Sequence, residues 1–361
     1  MSDAAKTDTL LSVRDVRTYF FQDEGITKAV DGASFDVVKG KTLGIVGESG
    51  CGKSVTTQSI LRLVEKPGRI VSGEIFLYKA DGSILDLIKL KPDGPEMRAI
   101  RGGEIGLVFQ EPMTSFSPVH TIGDQITEAV MLHKDVNKKQ ARKIGIEALA
   151  SVGIPKPDRR IDEYSFELSG GLRQRAMISV ALSCKPRLLI ADEPTTALDV
   201  TTQAQILDLL RRLQNENGMA IMLITHNLGV IAEMADDVVV MYLGRVVEQG
   251  PVDDIFHNPL HPYTRALLQS IPKIDSQPRV KLPTISGSIP HPYNRPGGCP
   301  FHPRCESFKK GRCGSAEPVL TQVNEHQKVS CFLFDDVAPP NGGAVNPSYR
   351  QTTDRAYEGK S

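Results

Sequence analysis

The chain has 361 residues, enough for about two domains and a sizeable core. Its 43 Lys and Arg balance 43 Asp and Glu, and a net charge of zero speaks against a dedicated nucleic-acid or membrane-surface binder. No apolar run reaches the ~18–20 residues that span a bilayer and Met1 to Thr9 is polar, so no spanning segment or signal peptide is expected, and in a reducing cytoplasm the six cysteines are not read as three disulfides.

In chain order, Leu10 to Val16 reads as a strand, followed by an aromatic cluster, Tyr19-Phe20-Phe21. Lys28 to Val38 continues a hairpin-rich opening, and Leu43-Gly44-Ile45-Val46 is a short buried strand. Gly47-Glu48-Ser49-Gly50-Cys51-Gly52-Lys53-Ser54 then fits G-x-x-x-x-G-K-[ST], a phosphate-binding loop, and a helix follows from Val55. Glycines let successive N–H groups turn inward around phosphate oxygens at a helix N-terminus. Lys53 adds a fixed positive charge, and the Ser54 hydroxyl is suited to Mg2+. Cys51, near Lys53 and the helix N-terminus, is expected to have raised thiolate character; the alternative is a shielded stand-in for Ser.

Ile70 to Leu90 is β-like, and Ile105 to Phe109 is a buried strand ending at Gln110. From Ile122 to Gly153 the period becomes helical, with Ile144, Ala148, Leu149 and Val152 on one face and Asn137 a candidate N-cap; a loop at Pro155 to Arg160 closes the segment. Leu172 to Cys184 reads as a helix and Arg187 to Ala191 as a strand that delivers Asp192 and Glu193 at its carboxyl end, where open α/β sheets bind ligands. Asp192 is the candidate for holding Mg2+, directly or through water, and Glu193 for polarising an attacking water. A helix from Thr201 to Asn217 stopped by Gly218, a strand from Met219 to Ile224, and a hairpin around Leu243-Gly244 complete an alternation that implies an α/β fold with a mainly parallel sheet.

After Pro272 the composition shifts to Pro, Gly, His and Cys, and residues 337–361 are expected to be disordered. Between Lys273 and Phe334 periodic apolar residues are too few for an independent core, so a staple is expected. Four thiols spaced Cys299-x5-Cys305-x7-Cys313-x17-Cys331 suit zinc or an iron–sulfur cluster, and the spacing lacks the close pairs of structural zinc sites. If the staple serves the tail alone, its loss should leave nucleotide binding largely unaffected.

Leu168-Ser169-Gly170-Gly171-Leu172-Arg173-Gln174-Arg175 matches the signature of ATP-binding-cassette (ABC) proteins, and with the phosphate loop and Asp192-Glu193 it identifies the chain as resembling that family. The resemblance implies roles for further residues. Gln110 reaches Mg2+ and the water, His226 contacts the γ-phosphate, and Asp199 crosses a dimer interface. Phe20 stacks on adenine, with Tyr19 the alternative, and Val55 belongs with the loop in the nucleotide set. Ser169, Gly170 and Gly171 face ATP held by another cassette, so one chain cannot complete a site; a homologous sibling is favoured over a second copy.

Gln110-Glu111-Pro112-Met113-Thr114-Ser115-Phe116-Ser117-Pro118, His261-Pro262-Tyr263-Thr264-Arg265 and Gly298-Cys299-Pro300-Phe301-His302-Pro303-Arg304-Cys305 resemble stretches of bacterial oligopeptide/dipeptide/nickel importer ATPases. Phe116-Ser117 and Cys51 depart from that pattern, mildly. The likeness implies an ABC cassette over residues 1–272, with a helical subdomain near 111–185, and a Cys-rich domain over 273–336. The implied partners are a second cassette, two membrane-spanning permeases meeting Glu111 to Pro118, and an extracytoplasmic substrate-binding protein, without nucleic acid, at the cytoplasmic face of a bacterial inner membrane. The implied cofactors are ATP, Mg2+ and a [4Fe-4S] cluster on Cys299, Cys305, Cys313 and Cys331, with zinc the alternative. A soluble redox-regulated ABC ATPase is the rival function, and the cargo stays open among peptides, nickel, glutathione and sugars.

Overall fold

A computed structural model describes residues 8–110, 115–196, 198–271 and 285–335. The opening strands are longer than their alternation suggests: β1 (Thr9–Gln22) takes in the aromatic cluster and pairs antiparallel with β2 (Gly25–Val38). With β4 (Gly68–Tyr78) and β5 (Ile84–Asp86) they form one antiparallel sheet in the order β2-β1-β4-β5. The second sheet holds β3 (Thr42–Val46), β6 (Ile105–Val108), β7 (Leu188–Asp192), β8 (Ala220–Ile224), β9 (Asp237–Tyr242) and β10 (Arg245–Pro251). Strands β9, β3, β8, β7 and β6 run parallel in that spatial order. Every residue of β3, β7 and β8 is buried, as expected for strands covered on both faces.

Helix α1 (Lys53–Ile60) follows the phosphate loop and α2 (Pro95–Gly103) precedes β6. The helical segment resolves into α3 (Ile122–His133), α4 (Lys138–Ser151) and α5 (Pro157–Arg160), this last one falling where a loop was expected. Pro157 at its first turn, with no N–H to satisfy, makes that single turn inexpensive. Asn137 caps α4 in a capping box with Gln140. Helix α6 (Gly170–Leu182) starts at Ser169, and α7 (Val200–Asn217) ends at Gly218, whose φ of +63° suits glycine. Three short helices complete the set: α8 (Leu228–Met234), α9 (Val252–His257) and α10 (Pro262–Gln269).

The C-terminal segment has no core of its own because it shares the cassette's. Strands β11 (Thr321–Gln322) and β12 (Lys328–Val329) extend the large sheet through β10, where Glu248 faces Val329. Cys299, Phe301, Cys313 and Phe332 are buried in one apolar cluster with Tyr242, Tyr263 and the strands of the parallel sheet. Phe301 is 2% exposed, and its ring centroid lies 5.3 Å from those of both Tyr242 and Tyr263. Charges add to the join. Asp31 of β2, 3% exposed, accepts from Tyr19 Oη at 2.6 Å and from Arg295 Nη1 at 2.7 Å, and meets Arg245 Nη2 at 3.1 Å. Burial alone would push that carboxyl up, but Arg245 and Arg295 hold it down at about 2. Residues 337–361, expected to be disordered, lie outside the described residues.

Among the described residues no helix is long and apolar enough to cross a membrane. Because the join is a shared core, Phe301→Ala should lower the stability of the whole chain by about 3–5 kcal/mol. Denaturant unfolding followed by far-UV circular dichroism checks this, and an unchanged main transition with a separately melting tail would contradict it.

Candidate functional site

The site lies where the parallel strands end. The phosphate-binding loop leaves β3 and caps α1, and two of its glycines are fixed by space as well as conformation. Gly52 has φ +100°, and a Cβ there would sit 2.2 Å from Ala29 O; a Cβ on Gly47 would sit 2.2 Å from Met241 O. The β9–β10 turn buttresses the loop, since Gly244 N–H donates to Cys51 O at 2.9 Å. Ser49, Gly50 and Ser54 are exposed and Val55 is half-buried, whereas Lys53 is buried, its Nζ donating to Gly47 O at 2.8 Å and Glu48 O at 3.2 Å. The ammonium thus spans the loop's own carbonyls, the place from which it can turn to phosphate oxygens.

Cys51 departs from the sequence expectation. It is 3% exposed, its Sγ lies beside Gly47, and it is part of the core beneath the loop. Burial raises its thiol pKa and outweighs the opposing pull of Lys53, whose Nζ is 3.8 Å away, so thiolate character falls rather than rises.

At the end of β7, Asp192 is buried and its Oδ1 has no hydrogen-bond partner. Burial is the main cause raising its pKa, opposed by a hydrogen bond from Ser54. A carboxylate oxygen left unpaired beside a serine hydroxyl fits a hard, oxygen-seeking cation that keeps several waters, so the residues present fit Mg2+. Glu193, next in sequence, adopts φ +49°, a conformation that costs a non-glycine residue roughly 1–3 kcal/mol. Its N–H donates to Ile224 O at 2.8 Å, which holds the turn and swings the side chain across the strand ends.

That carboxylate gathers donors from three loops. Gln110 Nε2, after β6, donates at 3.2 Å, and Thr196 Oγ1 at 2.8 Å. His226 Nδ1, after β8, lies 3.1 Å away. Burial pushes the Glu193 carboxyl up, but the bonds from His226 and Thr196 prevail and keep it below the usual glutamate range, ionised and able to take a proton. The sequence pattern linked Gln110, Glu193 and His226 only by family roles; it assigned none to Thr196, whose spacing three residues after Glu193 at a strand end was the available signal.

Other expected residues sit apart from this cluster. Ser169 and Gly170 are exposed at the start of α6, and Gly171 is half-exposed. Asp199 caps α7, accepting from Thr202 N at 3.0 Å and Oγ1 at 2.7 Å, and the neighbouring Val200 is 83% exposed. Tyr19 and Phe20 face opposite sides of β1 (Tyr19 bound to Asp31, Phe20 packed over Gly68), and neither is tied to the loop by a hydrogen bond among the described residues. Beside Gln110, a cleft between the parallel sheet and the helical segment is lined by Phe109, Phe116, Gln125, Ala129, His133 and Met177. Phe116, one of the departures from the importer pattern, is buried there at 6% exposure. Residues 111–114 and Ala197, also part of the sequence-derived motifs, lie outside the described residues.

The four tail cysteines converge. Cys299, Cys305, Cys313 and Cys331 line one small cavity with Phe301, His302 and Phe332. Burial pushes the Cys299 and Cys331 thiols up to about 11, and the neighbouring sulfurs add to the shift. Yet no three Cys, His, Asp or Glu groups among the described residues close around a single ion. A mononuclear site needs sulfurs at about 2.3 Å from one metal. The arrangement therefore does not fit a preformed zinc cage. The described residues thus show four thiols around one cavity and no formed metal site.

Comparison with known proteins decides the family. Residues 30–196 match the ABC transporter family and residues 247–313 the oligopeptide/dipeptide transporter C-terminal region. The chain is 50% identical over 335 residues to a Brucella ovis protein whose name assigns it, provisionally, to peptide import as an ATP-binding protein; the match covers 91% of this chain and 98% of the relative. It is 49% identical to the oligopeptide transport ATP-binding protein AppD of Bacillus subtilis (91% and 98% covered) and 44% identical to the dipeptide transport ATP-binding protein DppD of Escherichia coli (92% and 99%). The chain belongs to the ATP-binding subunits of the oligopeptide/dipeptide branch of ABC transporters. A dimeric cassette in a post-hydrolysis state bound to ADP and Pi superposes with a TM-score of 0.59 at 26% identity, covering 67% of this chain and 99% of that one. The structure of cbiO1 from Clostridium perfringens gives 0.57 at 27%, covering 70% and 92%. The mixed α/β cassette fold is thus shared with these ATPases, and a free-standing redox-regulated ATPase is not favoured.

Burial of Cys51 sets an expectation for thiol chemistry. In the folded, nucleotide-free subunit, maleimide should label Cys51 at least ~10-fold more slowly than the same chain unfolded in urea. Mass-spectrometric mapping over time checks it; equal rates would place the thiol at the surface.

Proposed function

We propose that this subunit hydrolyses ATP at a site shared between two cassettes and so drives peptide import through membrane-spanning permeases. The observation that carries the proposal is the Glu193 carboxylate held by Gln110, Thr196 and His226 beside the unpaired Asp192 Oδ1. In this reading the phosphates lie in the loop from Gly47 to Ser54 with Lys53 on their charge, and an aromatic of β1, Phe20 or Tyr19, covers the adenine. Ser54, Asp192 and Gln110 would hold Mg2+, which supplies charge neutralisation at the β/γ-phosphates. Glu193 accepts the proton of a water whose oxygen bonds to the γ-phosphorus. The bond from that phosphorus to the β–γ bridging oxygen breaks, and ADP leaves with inorganic phosphate. His226 steadies the γ-phosphate as charge shifts.

The exposed Ser169 and Gly170, the half-exposed Gly171 and the exposed edge near Asp199 and Val200 suit a second cassette that closes over the nucleotide, and hydrolysis then favours opening. A homologous sibling subunit is the expected second cassette. In this reading the cleft beside Phe109 and Phe116 seats a permease element, the subunit works at the cytoplasmic face of an inner membrane, and an extracytoplasmic binding protein selects the peptide. Cys299, Cys305, Cys313 and Cys331 would hold a [4Fe-4S] cluster, whose contribution is structural cross-linking of the tail. Residues 1–272 act in this scheme as the cassette and 273–336 as its Cys-rich C-terminal domain.

Glu193→Gln should keep MgATP binding within about threefold while lowering ATPase turnover at least ~100-fold, and should shift the protein with its sibling toward a closed dimer by light scattering. Lys53→Ala should weaken nucleotide binding itself. Near-normal turnover in Glu193→Gln would remove Glu193 from its role. Anaerobic purification followed by iron, sulfide and zinc analysis should find iron and sulfide in equal amounts, with loss on any single Cys→Ser change; one zinc and no iron would reject the cluster.

A further inference from the structure

The cysteine-bearing turn is clasped to the phosphate-binding loop of its own cassette. Arg304, in the 3-10 turn His302–Arg304 just before Cys305, has a side chain only 4% exposed. Its Nη1 and Nη2 donate to Glu48 Oε2 at 2.8 Å and Oε1 at 3.0 Å, a two-pronged ion pair across 256 positions of sequence. The guanidinium is held from behind, with Nε donating to Ser286 O at 3.0 Å and Nη1 lying 3.4 Å from Tyr242 Oη. A second contact reaches the same residue: Glu48 N–H donates to the hydroxyl of the buried Tyr263 at 2.9 Å, and Tyr263 packs on Phe301, between Cys299 and Cys305. Glu48 therefore spends both its N–H and its carboxylate on the protein.

We infer that Arg304 is a positioning residue for the phosphate-binding loop, setting the subunit's affinity for ATP through Glu48. The physical reason is charge. A carboxylate at the second position of a loop that holds polyphosphate repels its ligand, and a fixed guanidinium neutralises it and draws it out of the cradle. Lysine cannot reproduce both prongs, since an ammonium offers a point charge rather than a planar fork. The inference rests on the loop being the nucleotide site. It also revises the sequence expectation that nucleotide binding ignores the tail, because the turn that aims Arg304 is built on the cysteine-bearing segment: His302 N–H donates to Cys299 O at 3.0 Å and Cys305 N–H to His302 O at 3.3 Å.

The test measures MgATP dissociation constants for the full chain by calorimetry, with unfolding midpoints taken without nucleotide. Arg304→Met should weaken MgATP binding about tenfold, raising KM more than it lowers kcat, and Arg304→Lys about threefold. Adding Glu48→Gln to Arg304→Met should restore most of the affinity, because the unpaired charge is gone; a merely structural role for Arg304 predicts no such rescue. Should Arg304→Met fail to fold, Arg304→Lys with and without Glu48→Gln carries the same comparison. Wild-type affinity in the folded Arg304 variants, or no rescue by Glu48→Gln, overturns the inference while wild type binds MgATP and Lys53→Ala does not. A wild-type chain that binds no MgATP overturns the nucleotide reading and this inference with it.

Discussion

The chemistry of this subunit depends on the register of five parallel strands. Ile45 pairs with Ile224 and with Val239, Asp192 with Ile224, and Val108 with Ala191, so the carboxyl ends of β3, β6, β7 and β8 fall on one edge of the sheet. Each end releases one working group: the glycine loop, Gln110, Asp192 with Glu193, and His226. Parallel strands buried on both faces hold register through packing, because a one-residue slip would turn every side chain to the opposite face. The sheet can therefore carry strained backbone at its rim. Glu193 at φ +49° is tolerated because its own N–H is paired to Ile224 O across the neighbouring strand end, and that turn is what brings its carboxylate among three donors.

Legibility followed the range of the interactions. The phosphate loop, Asp192-Glu193 and the Ser169-Gly170-Gly171 turn are local, since each needs only a strand or helix end and a few neighbours. The Asn137 cap and the Gly218 stop were readable for the same reason. Joining Gln110, Glu193 and His226 needed the family pattern, because nothing in 83 or 33 residues of separation announces a hydrogen bond. Cys51 misled because its neighbours in sequence, Lys53 and a helix start, favour a thiolate, whereas its neighbours in space are core. Burial is a property of the fold, and here it is the larger effect.

The tail was the least legible part, and for a definite reason. Its apolar residues are too sparse to show a period, so they read as a unit lacking a core. In the fold Phe301 and Phe332 insert into a core that already exists, and β12 finds its partner in β10. A segment that contributes a few anchors to another unit's interior carries no periodicity of its own. Its charges tell the same story: Arg295 finds Asp31, and Arg304 finds Glu48, each more than 250 residues away.

These ion pairs differ in what they can do. Asp31 is 3% exposed and surrounded by three arginines, Arg17 at 3.8 Å among them, so the desolvation of the group is already incurred and the cluster acts as a fixed rivet between β2 and the tail. Glu48 is different: its side chain keeps 22% exposure and sits on the glycine loop proposed to hold the nucleotide. There the two-pronged pair holds the Glu48 carboxylate against a buried guanidinium, and in the inference drawn above it also removes a repulsion that would act only when ligand arrives. The rivet ties the tail to β2, and the clasp reaches the glycine loop itself. Together they build the cysteine-bearing segment into the same unit as β2 and the glycine loop rather than leaving it beside them.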